Sequence, residues 1–183
     1  MNSQSTTTNQ NQLLIRPERA EDYSAVSTLL HAAFGGTAEV QLVAALRGHP
    51  TLKSLVAVIG GEVVGHIAFS PVAIAAVTVA GPPAEISAYG LAPLAVSPEH
   101  QCMGIGTELV RAGLTLMEQS GISVVVVLGD PAYYSRFGFR PAATFNITCK
   151  WEDHQDAFQV WSRLPDGSIP QGVVAYLPEF DEV

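Results

Sequence analysis

The sequence predicts an α/β fold with a mixed, mostly antiparallel central sheet and helices on both faces. Three observations predict it. Apolar residues fall at helical spacing in 21–34 and again in 104–120. Short apolar runs separated by Gly- and Pro-containing turns occupy the stretches between and after them. One of these runs, Ser123–Leu128, is almost all valine and follows the second helix directly, the pattern of a strand buried on both faces in a β-α-β unit.

The elements follow in order. Residues 1–12 are polar and low in complexity and read as a disordered tail, leaving 13–183 as a single domain with a core over 13–140 and C-terminal strands over 141–183. Leu13-Leu14-Ile15 begins the first strand, closed by Arg16-Pro17. Val26, Leu29, Leu30 and Ala33 mark one face of the first helix, with Glu21 and Asp22 in the first turn, where the helix dipole favours negative charge. Gly35-Gly36 stops it. Thr37 is placed to cap a second helix carrying Leu42, Val43 and Leu46, ended by Gly48-His49-Pro50. Leu55–Ile59 and Glu62–Phe69 flank Gly60-Gly61, a two-residue hairpin turn of the kind that needs positive φ at both positions. A further β-like stretch runs to Ala80, with the next turn at Gly81-Pro82-Pro83. Ile86–Ser97 is a strand with Pro93 in its middle, a residue that cannot donate to a ladder. Ile105, Leu109, Ala112 and Leu116 form the apolar face of the helix 104–120, stopped by Gly121. A short helix over 133–137 and strands over 145–150 and 157–163 complete the pattern, with a turn at Asp166-Gly167.

Composition excludes several functions. Lys and Arg total 9 against 17 Asp and Glu, a net charge of −8, which argues against a nucleic-acid or anionic-membrane partner. The acidity is uneven: residues 151–183 hold seven acids and one base, and residues 1–150 ten acids and eight bases. The longest apolar stretches fall short of the roughly 20 residues of a membrane helix. The N-terminal residues lack a cationic region and apolar core, so no secretory signal is read and a cytoplasmic location is expected. Cys102 and Cys149 make no disulfide framework, and no metal-ligand spacing occurs, so no metal is expected.

The chemistry concentrates in two segments. Leu94-Ala95-Val96-Ser97-Pro98-Glu99-His100-Gln101-Cys102-Met103-Gly104-Ile105-Gly106-Thr107 runs from a strand end through a glycine-containing loop into a helix start. A helix N-terminus presents unpaired N–H groups and a partial positive charge, so the segment is an anion site suited to a diphosphate. It is neither the Walker nor the Rossmann pattern, since no Gly-Lys-Ser/Thr follows and residue 109 is Leu. The second segment is Asp130-Pro131-Ala132-Tyr133-Tyr134-Ser135-Arg136-Phe137-Gly138-Phe139.

Gln101-x-x-Gly104-x-Gly106 after Leu-Ala-Val-x-Pro resembles the acetyl-CoA loop of the GNAT (GCN5-related) acetyltransferases, and Tyr134 four residues before Gly138-Phe139 resembles that family's Y-x-x-x-G-F signature. The resemblance extends from about Leu13 to Phe139 and more loosely to the end. The tail, with 157–161 and 172–180, looks like a small prokaryotic single-domain subgroup. The resemblance implies acetyl-CoA as co-substrate, with Leu94, Ala95, Val96, Gln101, Cys102, Met103, Gly104, Ile105, Gly106 and Thr107 holding it. It implies a splayed strand pair, which gives Pro93 a role in bending the strand. It implies Tyr134 as the acid that protonates the leaving CoA thiolate, with Tyr133 second in line. The acceptor implied is a small-molecule or peptide amine. Many relatives of this size pair through sheet edges, which leaves a homodimer open without the sequence deciding the oligomeric state.

One departure matters. Where histone-type members carry a glutamate base, this sequence has Gly90. Glu85 and His66 are alternative bases, alongside water or an amine bound already neutral. The departure also keeps open a non-catalytic acyl-CoA-binding or sensor domain. Cys102 is read as part of the loop, since no base is placed to make it a nucleophile. Arg136 and Arg140 are read as salt-bridged surface residues. If the acidic C-terminal segment borders the acceptor site, Glu152, Asp153 and Asp156 would favour a cationic amine.

Overall fold

In the computed structural model, which describes residues 12–76, 87–169 and 171–182, the chain starts on an edge strand, β1 (Leu14–Pro17). Helices α1 (Tyr23–Phe34) and α2 (Ala38–Leu46) follow, then β2 (Lys53–Ile59), β3 (Glu62–Ala76), β4 (Ala88–Val96), α3 (Ile105–Gln119), β5 (Val124–Leu128) and the single turn α4 (Pro131–Tyr134). Four more strands close the chain: β6 (Arg140–Pro141), β7 (Ile147–Cys149), β8 (Phe158–Ser162) and β9 (Gly172–Ala175). The sheet runs β1-β2-β3-β4-β5-β8-β6, with β9 pairing the far end of β3 and carrying β7 beside it. Along the main path only β4 and β5 are parallel. The expected mixed, mostly antiparallel sheet is therefore what forms.

The valine run behaves as its composition demands. Val124 and Val126 pack into one core and Val125 and Val127 into the other, so a strand alternating between two buried faces has no polar position. All four are at most 1% exposed, and each such burial stabilises by about 1.5–3 kcal/mol. The core holding Val125 and Val127 lies under α3, the core holding Val124 and Val126 under the β7–β9 layer, and a third packs α1 and α2 on the face opposite α3 through Val26, Leu30, Val43 and Val56. Helix α3 buries Ile105, Leu109, Val110, Leu114 and Met117, while the predicted face residues Ala112 and Leu116 sit half-buried at its margin.

Local signals mostly held. Gly60 and Gly61 both have positive φ, +60° and +89°, in the β2–β3 turn. Gly35 and Gly121 close their helices in the left-handed region. Thr37 does stand before α2, but its side chain makes no capping bond. The strand expected over 145–150 shrinks to Ile147–Cys149, because Asn146 takes φ +54° and turns the chain out of a 3-10 segment. The pattern had no counterpart for β6 and β9, which are short and lean on the register of β8 and β3. The expected turn at Gly81-Pro82-Pro83, Glu85 and nearly all of the predicted N-terminal tail lie outside the described residues. Among the described residues, no helix is long and apolar enough to cross a membrane.

Candidate active site

The site begins with the way β4 loses its neighbour. Parallel pairing with β5 covers only Ala88↔Val124, Tyr89↔Val125 and Gly90↔Val126. Beyond Gly90 the two strands part, and Leu91–Val96 have no partner on the β5 side. On the β3 side the register runs Phe69↔Leu91 and then Ile67↔Leu94, so Ala92 and Pro93 together oppose the one residue Ala68. That is a β-bulge, and Pro93 sits in it, where the missing N–H costs no ladder bond. The bulge and the splay coincide. They leave a stretch of strand backbone whose polar groups face a cleft.

A cavity of about 460 Å³ opens at the end of this strand and the start of α3. Leu94 and Val96 line it from β4, and Gln101, Cys102, Gly104, Ile105, Gly106 and Thr107 from the loop. Two loop residues, Cys102 (φ +60°) and Gly104 (φ +86°), are in the left-handed region, and these reversals deliver the chain into α3. The first N–H groups of α3 have no intrahelical acceptor, so they are free to bind an anion. The Gln101 amide donates to the Val96 carbonyl at 3.2 Å and ties the loop to the strand. Of the remaining predicted residues, Met103 is 66% exposed and Ala95 is buried against α1, and neither lines the cavity.

Helix α4 divides its two tyrosines between two cavities. Tyr133 lines the loop cavity, and a Cβ added at Gly106 would stand 2.8 Å from its hydroxyl, so the second loop glycine makes room for that ring. Burial raises the Tyr133 pKa, while Thr107 and Arg136 beside it pull the other way. The Arg136 guanidinium lies 4.5 Å over the Tyr133 ring and lines the same cavity, with no acidic partner among the described residues. The expected surface ion pair does form for Arg140, which meets Asp166 at 2.8 Å, but not for Arg136. Arg136 is thus the permanent cation at the loop.

Tyr134 turns the other way. It is 8% exposed, edge-on to Tyr133 (5.0 Å) and Phe139 (5.5 Å), and its ring abuts Gly129, where an added Cβ would come within 2.5 Å of Cε2. Burial, with a smaller contribution from Tyr133, holds its pKa well above the ordinary tyrosine value, so the phenol keeps its proton. It lines a second cavity of about 370 Å³ with Leu91, Ala92, Pro93 and Leu94 of the splayed strand. Leu94 belongs to both cavities. Tyr134 therefore stands at the splay, under the strand that separates a loop suited to anions from a pocket of another character.

The second cavity carries residues that sequence reasoning missed. Phe34 of α1, Glu39 and Leu42 of α2, and Trp151, Tyr176 and Phe180 of the C-terminal segment complete its wall. For Trp151, Tyr176 and Phe180 the signal available was the aromatic content of the tail; Phe34, Glu39 and Leu42 carried none that pointed to a cavity. Tyr176 explains Gly90: a Cβ at position 90 would meet the Tyr176 ring at 2.8 Å and Val72 at 3.2 Å. The phenol from the C-terminal segment fills the space a side chain at 90 would take. Burial raises the Tyr176 pKa as well, so it is no base near neutral pH. The C-terminal segment does border the second cavity through Trp151, Tyr176 and Phe180, but its acids Asp153 and Asp156 are exposed on a 3-10 turn and line neither cavity.

His66 has no access to either cavity. It is fully buried on β3 opposite Ala95, with Nε2 3.6 Å from Glu18, whose carboxylate accepts from Arg47 and Ser54 at 2.6 Å each. Burial pushes the Glu18 carboxyl up, but His66, Ser54 and Arg47 outweigh it and bring it down to about 2. This cluster ties β1, α2, β2 and β3 together beneath the splayed strand.

Comparison with known proteins agrees with this geometry. The family model described as acetyltransferase (GNAT) domain matches residues 14–142. The chain is 38% identical over 173 residues to the N-acetyltransferase YhbS of Escherichia coli, covering 92% of this chain and 99% of that protein. It is 40% identical over 126 residues to the N-acetyltransferase YjhQ of the same organism, covering 67% and 66%. The crystal structure of Escherichia coli YhbS with CoA superposes with a TM-score of 0.84 at 37% identity, covering 97% of this chain and 96% of that one. A GNAT acetyltransferase from Brucella melitensis in complex with acetyl-CoA gives 0.75 at 38% identity, covering 93% and 99%.

Proposed function

The chain belongs to the GNAT acetyltransferase family, and we propose that it moves an acetyl group from acetyl-CoA directly to an amine acceptor, with residues 13–183 working as one domain and Tyr134 as the acid. The observation that carries this reading is the coincidence of the β4–β5 splay, the loop at the start of α3 and a buried phenol lining the cavity that shares Leu94 with that loop. Acetyl-CoA would supply an activated thioester. The free N–H groups of 105–107 would hold its diphosphate, with Arg136 adding a cation beside them. The unpaired backbone of Leu91–Val96 would pair with the extended arm and polarise the acetyl oxygen through an N–H. Holding amine and thioester in line between the two cavities is the main source of rate.

The bonds balance without a further reactant. The acceptor nitrogen bonds to the acetyl carbon as the C–S bond breaks. Tyr134 gives its hydroxyl proton to the departing sulfur, and the proton lost by the nitrogen returns to the phenolate directly or through water. A phenol kept protonated by burial is loaded for this step across the neutral range.

The test is acetyl-CoA turnover followed as free-thiol release over a panel of amines, with thermal shift by CoA, ATP and NAD in parallel. Stabilisation by CoA alone, by about 2.7 kcal/mol at 100 times its Kd, together with amine-dependent thiol release is expected. CoA binding with no turnover on any amine would replace the enzyme with a sensor domain, and preference for ATP or NAD would remove the cofactor assignment.

A further inference from the structure

Resting on the acetyltransferase reading, we propose that the second cavity selects a primary amine carried on an apolar or aromatic body, with Glu39 as the residue that receives its ammonium group. Trp151, Tyr176 and Phe180 form a continuous aromatic wall, with ring centroids 5.1 and 5.0 Å apart. Opposite the splayed strand lie Phe34, Leu42 and Leu128. Phe34 and Leu128 are 45% and 37% exposed, and Leu128 follows four fully covered valines of β5. Large apolar side chains kept uncovered at one cavity are a surface awaiting an apolar ligand.

Polar groups there are few. Among the described lining residues, Glu39 is the one carboxylate, and the hydroxyls of Tyr134 and Tyr176 and the indole N–H of Trp151 are the other polar side-chain groups. A hydroxyl-rich acceptor such as an aminosugar would give up more hydration than these few side-chain groups and one edge of strand backbone can replace. A polyamine would bring two or more charges to one carboxylate. An apolar monoamine has one charge for Glu39 and a body for the aromatic wall; the bound ammonium releases one proton to water before its nitrogen, now neutral, attacks the acetyl carbon. Glu39 stands in the first turn of α2, which also touches the 3-10 turn Pro178–Asp181 carrying Phe180, so the carboxylate and the aromatic wall are held by one packing contact. The acid the acceptor meets is therefore Glu39 of the neutral body, and not the exposed acids of the C-terminal segment.

Phenethylamine, spermidine and glucosamine are compared as acceptors for the full chain at saturating acetyl-CoA. Phenethylamine should exceed both in kcat/KM by roughly tenfold or more. Glu39→Gln should raise the KM for phenethylamine by roughly tenfold while leaving kcat within about twofold and the KM for acetyl-CoA unchanged. Inhibition by 2-phenylethanol, which has the same body and no charge, should be the same in wild type and Glu39→Gln, a result that a merely structural role of Glu39 would not produce. Preference for spermidine or glucosamine overturns the substrate class and leaves the acetyltransferase reading standing. Turnover of no amine while acetyl-CoA still binds overturns both. An unchanged KM in Glu39→Gln removes Glu39 from recognition. If Glu39→Gln fails to fold, the wild-type acceptor series and Trp151→Ala, expected to raise the phenethylamine KM alone, decide the matter.

Discussion

Replacing Gly129 by alanine tests whether the placement of the Tyr134 ring matters. Gly129 lacks positive φ, so the substitution acts through the added methyl and not through the backbone. That methyl would stand 2.5 Å from Tyr134 Cε2, 3.1 Å from Cδ2 and 3.5 Å from Cζ. Relief to an ordinary contact requires the ring to move by about 1 Å. Phe139 and Tyr133, both edge-on to it, limit that movement on two sides, so the ring shifts toward the second cavity or displaces these neighbours, at a cost of about 1–3 kcal/mol in stability. A misplacement of that size at the reacting centre lowers rate by about 10²-fold. The assay is thiol release at saturating amine and acetyl-CoA, with Tm and acetyl-CoA Kd measured on the same protein. A large loss of kcat with a Kd within about twofold is expected, along with a fall in Tm of about 2–4 °C per kcal/mol lost. In a Tyr134→Phe background the same substitution should cost little further kcat, because the hydroxyl it displaces is already gone. A lowered Tm with wild-type kcat would refute the reasoning, since the ring would then have moved without consequence.

Gly90→Glu, which puts a carboxylate where histone-type relatives have one, should not supply a base. Its Cβ would stand 2.8 Å from Tyr176, so a stability loss of about 1–3 kcal/mol without gain in kcat at neutral pH is expected in thermal unfolding and turnover. Gly90→Glu combined with Tyr176→Ala clears the space, and its turnover should rise with pH through a lower midpoint than that of wild type. The Glu18 cluster makes an acid limb in stability. Because its carboxyl falls from 4.5 to about 2 on folding, the stabilisation is complete above pH 4.5 and is lost as pH falls toward 2. Discounted for partial solvation, that loss is about 2 kcal/mol, and urea unfolding at stepped pH should show it flattened in Glu18→Gln.

The parts legible in the sequence share a physical property: each was decided within a few residues. The valine run of β5, the Gly60-Gly61 turn, the stop at Gly121 and the loop from Gln101 to Gly106 are local signals, and the structure places all of them as read. Pro93 in mid-strand was an anomaly in sequence and is a bulge beside a splay in space. What sequence could not carry was long-range. Glu39 and Tyr176 are 137 positions apart and meet at one cavity only because α2 packs on the C-terminal turn. Gly90 read as a missing side chain, whereas the fold shows a space taken by another residue. Tyr134 came ahead of Tyr133 in the sequence only through the family resemblance, since which of them faces the loop depends on how α4 seats against Gly106 and Gly129. The acidic tail misled for the same reason: net charge says nothing about which side chains a fold turns toward a cavity.

The central claim is that Tyr134, lining the second cavity, protonates the leaving sulfur. Its most direct test is kcat for Tyr134→Phe at saturating acetyl-CoA and amine, measured with the acetyl-CoA Kd. The account predicts a fall in kcat of about 10²–10⁴-fold, the range of general acid catalysis, with Kd within about twofold of wild type. A Tyr134→Phe enzyme that turns over at the wild-type rate would contradict it.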